Sequence, residues 1–298
     1  MSDANRGRGG DHGGVADGAG AASPRGMVIK HDIDVGGCKV HVREHGKGPA
    51  IVFGHSLSFD GDMWEAQVDA LSSRYRTITL DFRGHGRSEF TPDFTLEDCA
   101  EDVAKIMTAL GVERAGYCGL SMGGMTGMRL ALKYPQRIAA LVLMNTSAEA
   151  EEPAKRTMYE MFNEHARGKQ GDAQSTAMVM GIMFSQAFLA ANPAVAAKYQ
   201  AKLLERPADD GRYYGGKAVL SRSNVLPQIS AIKIPTLVIS SKADNALPPS
   251  PHGEKIAAAI PGSKFEILEG GHMSAVEQAG KVTKLLADHF DQHLGASK

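Results

Sequence analysis

A serine set between two glycines is the residue of this sequence with the clearest chemical meaning. Residues 119–123 read Gly-Leu-Ser-Met-Gly; an apolar run, 115–118, precedes them, and a helix-like run, 125–132, follows. This order predicts a strand, a tight turn and a helix. The serine hydroxyl is then exposed at the carboxyl end of a sheet, and the glycines leave room for the bend. Ser121 is therefore a candidate nucleophile.

An acid and a base follow where such a serine needs them. Asp244 comes just after a strand-like run, 235–240, and His272 comes just after the last strand-like run, 264–268. A serine hydroxyl is a poor nucleophile near neutral pH, so an imidazole must take its proton while a carboxylate orients the imidazole and stabilises its charge. The chain order Ser, Asp, His, each after its own strand, predicts a catalytic triad.

Each of these two residues also has a structural interpretation. Asp244 could hydrogen-bond its own turn, and most of the eleven histidines must be packing or surface residues. If either residue is considered alone, the structural interpretation is the better one. The triad is favoured because both residues occur in the expected chain order after the serine.

Two backbone amides are candidates for stabilising the oxyanion of an acyl-transfer reaction. The N–H of Met122 follows the nucleophile at the start of a helix, where unpaired donors and the helix dipole favour an anion. The second donor is expected on the loop after an earlier strand, 50–54, and is assigned to the N–H of Leu57. The Leu57 side chain is then free to form part of a pocket wall.

The serine turn, the glycine-rich loop 81–88 and the Gly-His pair at 271–272 resemble the α/β-hydrolase superfamily, over a match that runs from about residue 27 to the C-terminus. Within it, local runs are similar to 3-oxoadipate enol-lactonases and related esterases: 55–60, 63–64, 117–125, 143–146 and 272–278. The resemblance implies a serine esterase or lactonase. Two features depart from it. Arg129 stands where those enzymes are expected to have an apolar residue, and Trp64 is the single tryptophan, so the cap has none to contact a substrate.

Strand-like and helix-like runs alternate over residues 27–146 and resume over 233–298. This pattern predicts an α/β fold, the α/β-hydrolase fold, with a mostly parallel central sheet flanked by helices. Between them, over 147–232, helix formers replace the strand signal, which predicts a helical cap inserted after the sixth strand and lying over the triad. Residues 1–26 are glycine-rich without an apolar stretch, and are expected to form a disordered tail.

Methionines are frequent both in the cap segment and beside the triad residues. Methionine in a helix is usually core filler, and that is the default interpretation. The functional alternative is a flexible apolar pocket for an acyl group or lactone ring. Its candidates are Met183 in the cap, Met273 beside the base, and Trp64, for which packing is the first interpretation.

The composition of the chain argues for small-molecule partners and against nucleic acid and membranes. The chain has 298 residues, 43% of them hydrophobic, and a formal net charge of −1. The sequence has no excess of basic residues that would indicate nucleic-acid binding. No apolar run reaches the ~18 residues that are needed to span a bilayer. No residues have metal-ligand spacing and no glycine-rich dinucleotide loop follows a strand, so neither a metal nor another cofactor is expected. Three cysteines that cannot all pair fit a reducing, cytoplasmic compartment.

The sequence therefore predicts a cofactor-free hydrolase of small carboxylic esters or lactones that forms an acyl-enzyme on Ser121. Enol-lactonase-like activity is the most specific hypothesis. C–C bond hydrolysis and perhydrolysis on the same triad remain alternatives, as does a small-molecule receptor with slow turnover. A serine nucleophile argues against haloalkane dehalogenases and epoxide hydrolases, whose attack needs a carboxylate at this position.

Overall fold

The computed structural model describes residues 27–206 and 209–295, so the tail predicted for residues 1–26 lies outside the described residues. Eight strands form one sheet. They are β1 (Ile29–Asp34), β2 (Lys39–His45), β3 (Ala50–Gly54), β4 (Arg76–Leu80), β5 (Ala115–Leu120), β6 (Ile138–Met144), β7 (Thr236–Ser241) and β8 (Lys264–Leu268).

The sheet is antiparallel at one edge and parallel through the rest. Its strand order is β1-β2-β4-β3-β5-β6-β7-β8. The β1–β2 and β2–β4 pairs are antiparallel, and all other neighbours are parallel. Gly36 and Gly37 join β1 to β2 with positive φ, which glycine adopts without steric penalty. The predicted mostly parallel sheet is confirmed.

The helices of the described residues are α1 (Glu65–Leu71), α2 (Leu96–Ala109), α3 (Met122–Lys133), α4 (Pro153–His165), α5 (Ala173–Met183), α6 (Gln186–Ala191), α7 (Pro193–Leu204), α8 (Gly211–Leu220), α9 (Glu254–Ala259), α10 (Ser274–Glu277) and α11 (Ala279–Leu294). Those outside the cap flank the sheet on its two faces. The apolar side chains of α2 and α3 belong to one core, and those of α1 and α11 to another. Along β3, Val52 belongs to the first core, whereas Ile51 and Phe53 belong to the second. Successive side chains of a strand point to opposite faces of the sheet. Because β3 contributes side chains to both cores, its sequence is an uninterrupted apolar run.

Local signals place the ends of these elements. Thr95 and Asp98 form a capping box at the start of α2, in which the Thr95 side chain accepts from the Asp98 N–H and the Asp98 carboxylate accepts from the Thr95 N–H. Such a box satisfies two backbone donors that the helix itself leaves unpaired. A threonine followed three residues later by an acidic residue is a helix-start signal that the sequence alone carries.

The cap consists of the five helices α4 to α8, which follow β6 and precede β7. It is helical and inserted after the sixth strand, as predicted. Its first helix, α4, contains no buried residue, and Met158 and Met161 on it are 50% and 71% exposed. Within the described ranges, no helix combines the length and apolar character needed to cross a membrane.

Arg129 is buried in α3, and the structure explains why a charged residue is tolerated there. Its Nε–H donates to Glu97 of α2 at 2.7 Å, and Nη2 donates to the Ser223 backbone oxygen at 3.0 Å. A buried charge is stable only when it is paired and hydrogen-bonded. The arginine therefore ties two core helices to the segment by which the chain leaves the cap.

Candidate active site

Ser121 occupies the tight turn between β5 and α3 in a strained conformation, with φ 55° and ψ −113°. The neighbouring glycines make the turn possible because the backbone is crowded there. A Cβ on Gly119 would lie 2.2 Å from the Gly123 carbonyl oxygen, and a Cβ on Gly123 would lie 2.2 Å from that of Gly54. A serine with positive φ is uncommon, and such strain concentrates at functional sites.

His272 and Asp244 meet in the loops after β8 and β7, as their positions in the sequence predict. The His272 Nδ1–H donates to the Asp244 carboxylate, at 2.8 Å from Oδ2 and 2.9 Å from Oδ1. Both side chains are almost completely buried. The hydrogen bond fixes which imidazole nitrogen carries the proton, so Nε2 is left as the acceptor.

Asp244 is held by three further donors. Oδ1 accepts from the backbone N–H groups of Ala246 and Leu247, at 2.9 and 2.8 Å, and Oδ2 accepts from Asn145 Nδ2 at 2.8 Å. Burial alone would raise the pKa of this carboxyl group. Electrostatic attraction to His272 and its hydrogen bond, together with hydrogen bonds from Leu247 and Asn145, outweigh burial and lower the pKa. Asp244 is thus kept ionised.

Asn145 is a residue to which the sequence analysis gave no role. It directly follows β6 and adopts a left-handed conformation, with φ 44°, which asparagine tolerates better than most residues. Its Oδ1 accepts from Ser274 Oγ at 2.6 Å while its Nδ2 donates to Asp244. The signal available in the sequence was a polar residue directly after a buried parallel strand. Such residues lie at the edge where sites of this architecture form.

The other face of His272 opens toward the serine. Its Nε2 is buried and makes no hydrogen bond within the described part of the chain. His272 and Ser121 line the same cavity. No hydrogen bond joins the Ser121 hydroxyl to Nε2, and catalytic hydrogen bonds are often long before substrate binds. The structure therefore brings together the three side chains predicted as a triad.

The two predicted oxyanion donors belong to segments that pack on each other. The Gly123 N–H, next to Met122, donates to the His55 carbonyl oxygen at 3.0 Å, and Leu57 follows two residues after His55. Among the described residues, neither the Met122 nor the Leu57 N–H has a hydrogen-bond acceptor. Both amides remain candidates for the oxyanion hole.

His55 holds this loop as a neutral imidazole. Its Nδ1–H donates to the Ser56 carbonyl oxygen at 2.8 Å, and its Nε2 accepts from the Phe82 N–H at 2.8 Å. Burial lowers the pKa of His55 to about 4. With both nitrogens engaged and the ring uncharged, His55 positions backbone and is not available for proton transfer.

The cavity next to Ser121 is small and mostly apolar, with a volume of about 130 Å³. A cavity of roughly 150 Å³ accommodates a benzene ring, so the space suits a small molecule. Its walls come from the loop after β3, the start of α3, the loop after β6, three cap helices, and the loops after β7 and β8. The residues are Leu57, Ser58, Ser121, Met125, Glu151, Tyr159, Phe162, Asn163, Val179, Ile182, Met183, Arg212, Gly216, Val219, Leu220, Ala246, Leu247 and His272.

Of the three side chains predicted for the pocket, Met183 lines this cavity, whereas Trp64 and Met273 lie elsewhere. Trp64 is fully buried, and its ring packs against Phe53 at 5.1 Å between ring centroids. Met273 is also fully buried, and its N–H donates to the Met183 carbonyl oxygen at 2.9 Å. Both belong to the apolar core that also contains side chains of β3 and α1, and their role there is packing.

Glu277 joins the His272 loop to the cap. Its Oε2 accepts from the Gly271 N–H at 2.9 Å and from the Ser185 hydroxyl at 2.6 Å, and its Oε1 accepts from the Ser185 N–H at 2.8 Å. Ser185 lies between α5 and α6 of the cap. Glu277 thus binds the backbone of its own loop and also reaches across to the cap.

Comparison with known proteins identifies the family of this chain. A family model described as the alpha/beta hydrolase fold matches residues 49–279. The chain belongs to the α/β-hydrolase family. This α/β-hydrolase is 34% identical over 241 residues to 3-oxoadipate enol-lactonase 1 of Acinetobacter baylyi, with 80% of this chain and 87% of that protein covered.

Two solved structures of the α/β-hydrolase family are similar over most of the chain. The enol-lactonase from Burkholderia xenovorans LB400 is 31% identical with a TM-score of 0.80, covering 88% of this chain and 100% of that one. A thermophilic esterase from Thermogutta terrifontis, solved with malate bound, is 26% identical with a TM-score of 0.82, covering 89% and 98%. This α/β-hydrolase thus has ester- and lactone-hydrolysing enzymes among its relatives.

Proposed function

We propose that this α/β-hydrolase cleaves small carboxylic esters or lactones through an acyl-enzyme. Ser121 is the nucleophile, His272 the general base and acid, and Asp244 the residue that orients His272. One observation carries the proposal. A buried histidine, held by a carboxylate through Nδ1 and unpartnered at Nε2, opens on the same apolar cavity as a serine held in left-handed conformation.

The geometry supports two successive acyl transfers. His272 Nε2 takes the hydroxyl proton as Ser121 Oγ attacks the carbonyl carbon, and the imidazolium that forms is stabilised by ionised Asp244. The N–H groups of Leu57 and Met122 are the donors proposed for the negative oxygen of the tetrahedral intermediate. His272 then gives its proton to the leaving alcohol, and a water molecule repeats the sequence on the acyl-enzyme.

Cavity size and relatives favour a compact substrate. A space of about 130 Å³ with mostly apolar walls suits one small ring or short acyl chain. The enol-lactonases of Acinetobacter and Burkholderia support a lactone, whose leaving alcohol stays attached to the acyl group after ring opening. The Thermogutta esterase supports an open-chain ester. Enol-lactonase-like activity is the most specific form of the proposal.

Covalent labelling tests the nucleophile directly. Diethyl p-nitrophenyl phosphate should add one diethylphosphoryl group per chain and stop hydrolysis of methyl butyrate, and peptide mass spectrometry should locate the group on Ser121. Ser121→Ala should remain unlabelled and inactive. Ser147→Ala is the matched control, because Ser147 is also buried but accepts a hydrogen bond from the Glu149 N–H and does not line the cavity. Labelling of another residue, or normal hydrolysis by Ser121→Ala, would contradict the proposal.

A further inference from the structure

The central sheet ends in a strand with an unpaired outer edge. β8 is the last strand of the sheet, and among the described strands it pairs with β7 alone, in parallel. At the end of that ladder the Leu268 carbonyl oxygen accepts from the Lys242 N–H at 2.9 Å, so the backbone groups of Leu268 point toward β7. The backbone groups of successive residues point to alternate sides of a strand. Those of Phe265 and Ile267 therefore point away from the sheet.

The outward backbone groups of Phe265 and Ile267 make no hydrogen bond within the described ranges. The Ile267 side chain is 43% exposed, so an apolar residue also lies on this open edge. Unpaired groups along an edge strand are a template for a further strand. β8 thus offers both ladder hydrogen bonds and apolar contact to an additional strand.

Two charged side chains on this edge lack an ion pair. Lys264 and Glu266 are exposed, and the described part of the chain places no opposite charge in ion-pair contact with either. Lys264 Nζ donates to the neutral amide oxygen of Gln292 at 3.2 Å. The neighbouring residues Lys242 and Glu269, by contrast, pair with each other. Lys264 and Glu266 are two residues apart in a strand and therefore lie on the same face of the sheet.

Antiparallel pairing of β8 with a second copy of itself would give both charged residues a partner. Directly opposite residues in such a pair point to the same face of the sheet, so the two-fold axis passes beside a residue and not between two. An axis at Phe265 places Lys264 of each copy opposite Glu266 of the other. An axis at Glu266 places two carboxylates opposite each other, which is destabilising, and an axis at Ile267 places Glu266 opposite apolar Leu268. The charges therefore favour the register centred on Phe265.

The backbone direction of β8 fits the same register. Phe265 points its N–H and C=O outward, so it can form a hydrogen-bonded pair with Phe265 of the second copy. Lys264 and Glu266 then occupy non-hydrogen-bonded pairs, in which opposite Cβ atoms are about 4.5–5.5 Å apart and side chains are closest. Opposite charges at such positions stabilise a sheet. Backbone direction and charge thus agree on one arrangement.

The opposite edge of the sheet, β1, is less suited to self-pairing. It carries Lys30 and Asp32 with the same two-residue spacing. However, His41 Nδ1 lies 2.8 Å from the Asp32 carboxylate, and the Asp34 carboxylate accepts from the Gly36 N–H at 2.8 Å. These acidic groups already have partners within the chain. A contact between β1 of one copy and β8 of the next is heterologous and would form open chains instead of a closed pair.

We propose that this protein forms a homodimer in which β8 of two copies pairs antiparallel about Phe265 and joins the two sheets into one. Lys264 and Glu266 form two ion pairs across the interface. Because the strands run antiparallel, the carboxyl ends of the two sheets, where Ser121 lies, point in opposite directions. The interface therefore does not depend on the proposed function, and hydrolysis per chain should be the same in monomer and dimer.

Charge reversal with rescue tests the interface. The wild-type chain should reach the mass of a dimer in sedimentation velocity at about 100 µM, a concentration at which weak interfaces are occupied. Lys264→Glu and Glu266→Lys each place like charges opposite each other twice, and should raise the dimer Kd by about 10-fold or more. Lys264→Glu/Glu266→Lys restores both ion pairs with the signs exchanged and should return Kd to within a few-fold of wild type. Dissociation caused by misfolding would not be rescued in this way.

Two further charge reversals are matched controls. Glu269→Lys changes the net charge as Glu266→Lys does, but Glu269 lies outside the two ion pairs of the interface. Its own exposed pair with Lys242 contributes little. Lys30→Glu makes the corresponding change on β1. Both controls should keep the dimer Kd within a few-fold of wild type. Dissociation by Lys30→Glu would overturn the proposal, as would a wild-type chain that stays monomeric at every concentration.

Cysteine cross-linking measures the register. The native cysteines Cys38, Cys99 and Cys118 are buried, so an introduced surface cysteine is oxidised selectively. Lys264→Cys and Glu266→Cys proteins, when mixed, place two cysteines at a non-hydrogen-bonded pair with Cα atoms about 4.5 Å apart, within the range of a disulfide. Copper–phenanthroline should cross-link the mixture on a non-reducing gel and leave each variant alone monomeric. Cross-linking of Glu266→Cys alone would show the register centred on Glu266, and no cross-linking of the mixture would show that β8 is unpaired; both results contradict the proposal.

Discussion

The sheet edge that carries Ser121 and the cap that covers it are built by different means. Strands β5 and β7 are buried along their whole length, and the residues that follow them are fixed by backbone N–H groups and short side chains. The cap begins with a helix that buries no residue, and its later helices pack on the core through apolar side chains such as Met180 and Leu203 and through the ion pair of Lys202 with Asp60 at 2.8 Å. We therefore expect the chemistry to depend on the backbone of the sheet edge and the choice of substrate to depend on side chains of the cap.

The largest effects should come from the sheet edge. Ser121→Ala and His272→Ala should each lower kcat by about 10⁴-fold or more, and the double variant should lose no more than the worse single one, because the residues act as one unit. Single-turnover and steady-state rates on methyl butyrate measure this, and melting temperatures near wild type show that the fold is intact. Additive losses would mean that the two residues act in separate steps, against the proposed mechanism.

Asn145 tests whether the sheet edge needs its supporting residues. Asn145→Ala removes one hydrogen bond from Asp244, so the pKa of Asp244 should rise toward its ordinary value. Because Asp244 must be ionised to stabilise the His272 imidazolium, the acid limb of the kcat/KM profile should move to higher pH. We expect kcat to fall by about 10- to 100-fold with little change in KM, as misplacing a catalytic group does.

A second residue with a left-handed backbone conformation serves as a control for backbone strain in Asn145→Ala. Asp93 also has positive φ, at 58°, and lies on an exposed surface loop. Asp93→Ala should lose the stability that the left-handed conformation costs an alanine and an exposed ion pair with Lys217, which contributes little, while its pH profile stays that of the wild type. If Asn145→Ala keeps the wild-type pH profile and kcat, as Asp93→Ala should, Asn145 has no positioning role.

Substitutions in the cap should have smaller effects on activity and should change the selectivity between substrates. Met183 and Met180 are both buried in α5, but only Met183 lines the cavity. Met183→Ala should raise the kcat/KM ratio of bulkier to smaller acyl esters by about 10-fold, within the 1–3 kcal/mol that a methylene-scale change in an apolar pocket is worth. Methyl hexanoate and methyl acetate are the substrates for this comparison.

Met180→Ala is the matched control for Met183→Ala. It should lower the free energy of unfolding by about 2–5 kcal/mol, as core truncations do, without changing the substrate ratio. If the two variants lose stability alike and neither changes selectivity, the cap methionines are core filler, which was the default interpretation of the sequence.

Prediction from sequence succeeded where the signal is local. The strand–turn–helix order around Ser121, the Thr95 capping box and the strandless cap follow from periodicity and residue type over a few positions. The family relation then confirmed the fold. The assigned roles of Ser121, Asp244 and His272 stay predictions, now with a geometry that suits them.

What the sequence could not reveal are contacts between distant residues. Asn145 meets Asp244 across 99 positions, and Ser58 meets Arg212 across 154. No local pattern distinguishes an asparagine or arginine that will find such a partner from one on the surface. Trp64 was placed near the pocket for the same reason, since the face of a short helical turn is decided by tertiary packing.

The Glu277 bridge has a consequence for how such enzymes diverge or are redesigned. A foreign cap grafted onto this core would have to present an N–H and a hydroxyl at the position of Ser185, or else leave the half-buried Glu277 carboxylate with only the Gly271 N–H as donor. Gly271 is constrained as well, because a Cβ there would lie 2.6 Å from the Ser185 nitrogen. The cap is therefore not an interchangeable module: the α5–α6 turn and the loop that carries His272 have to be exchanged together.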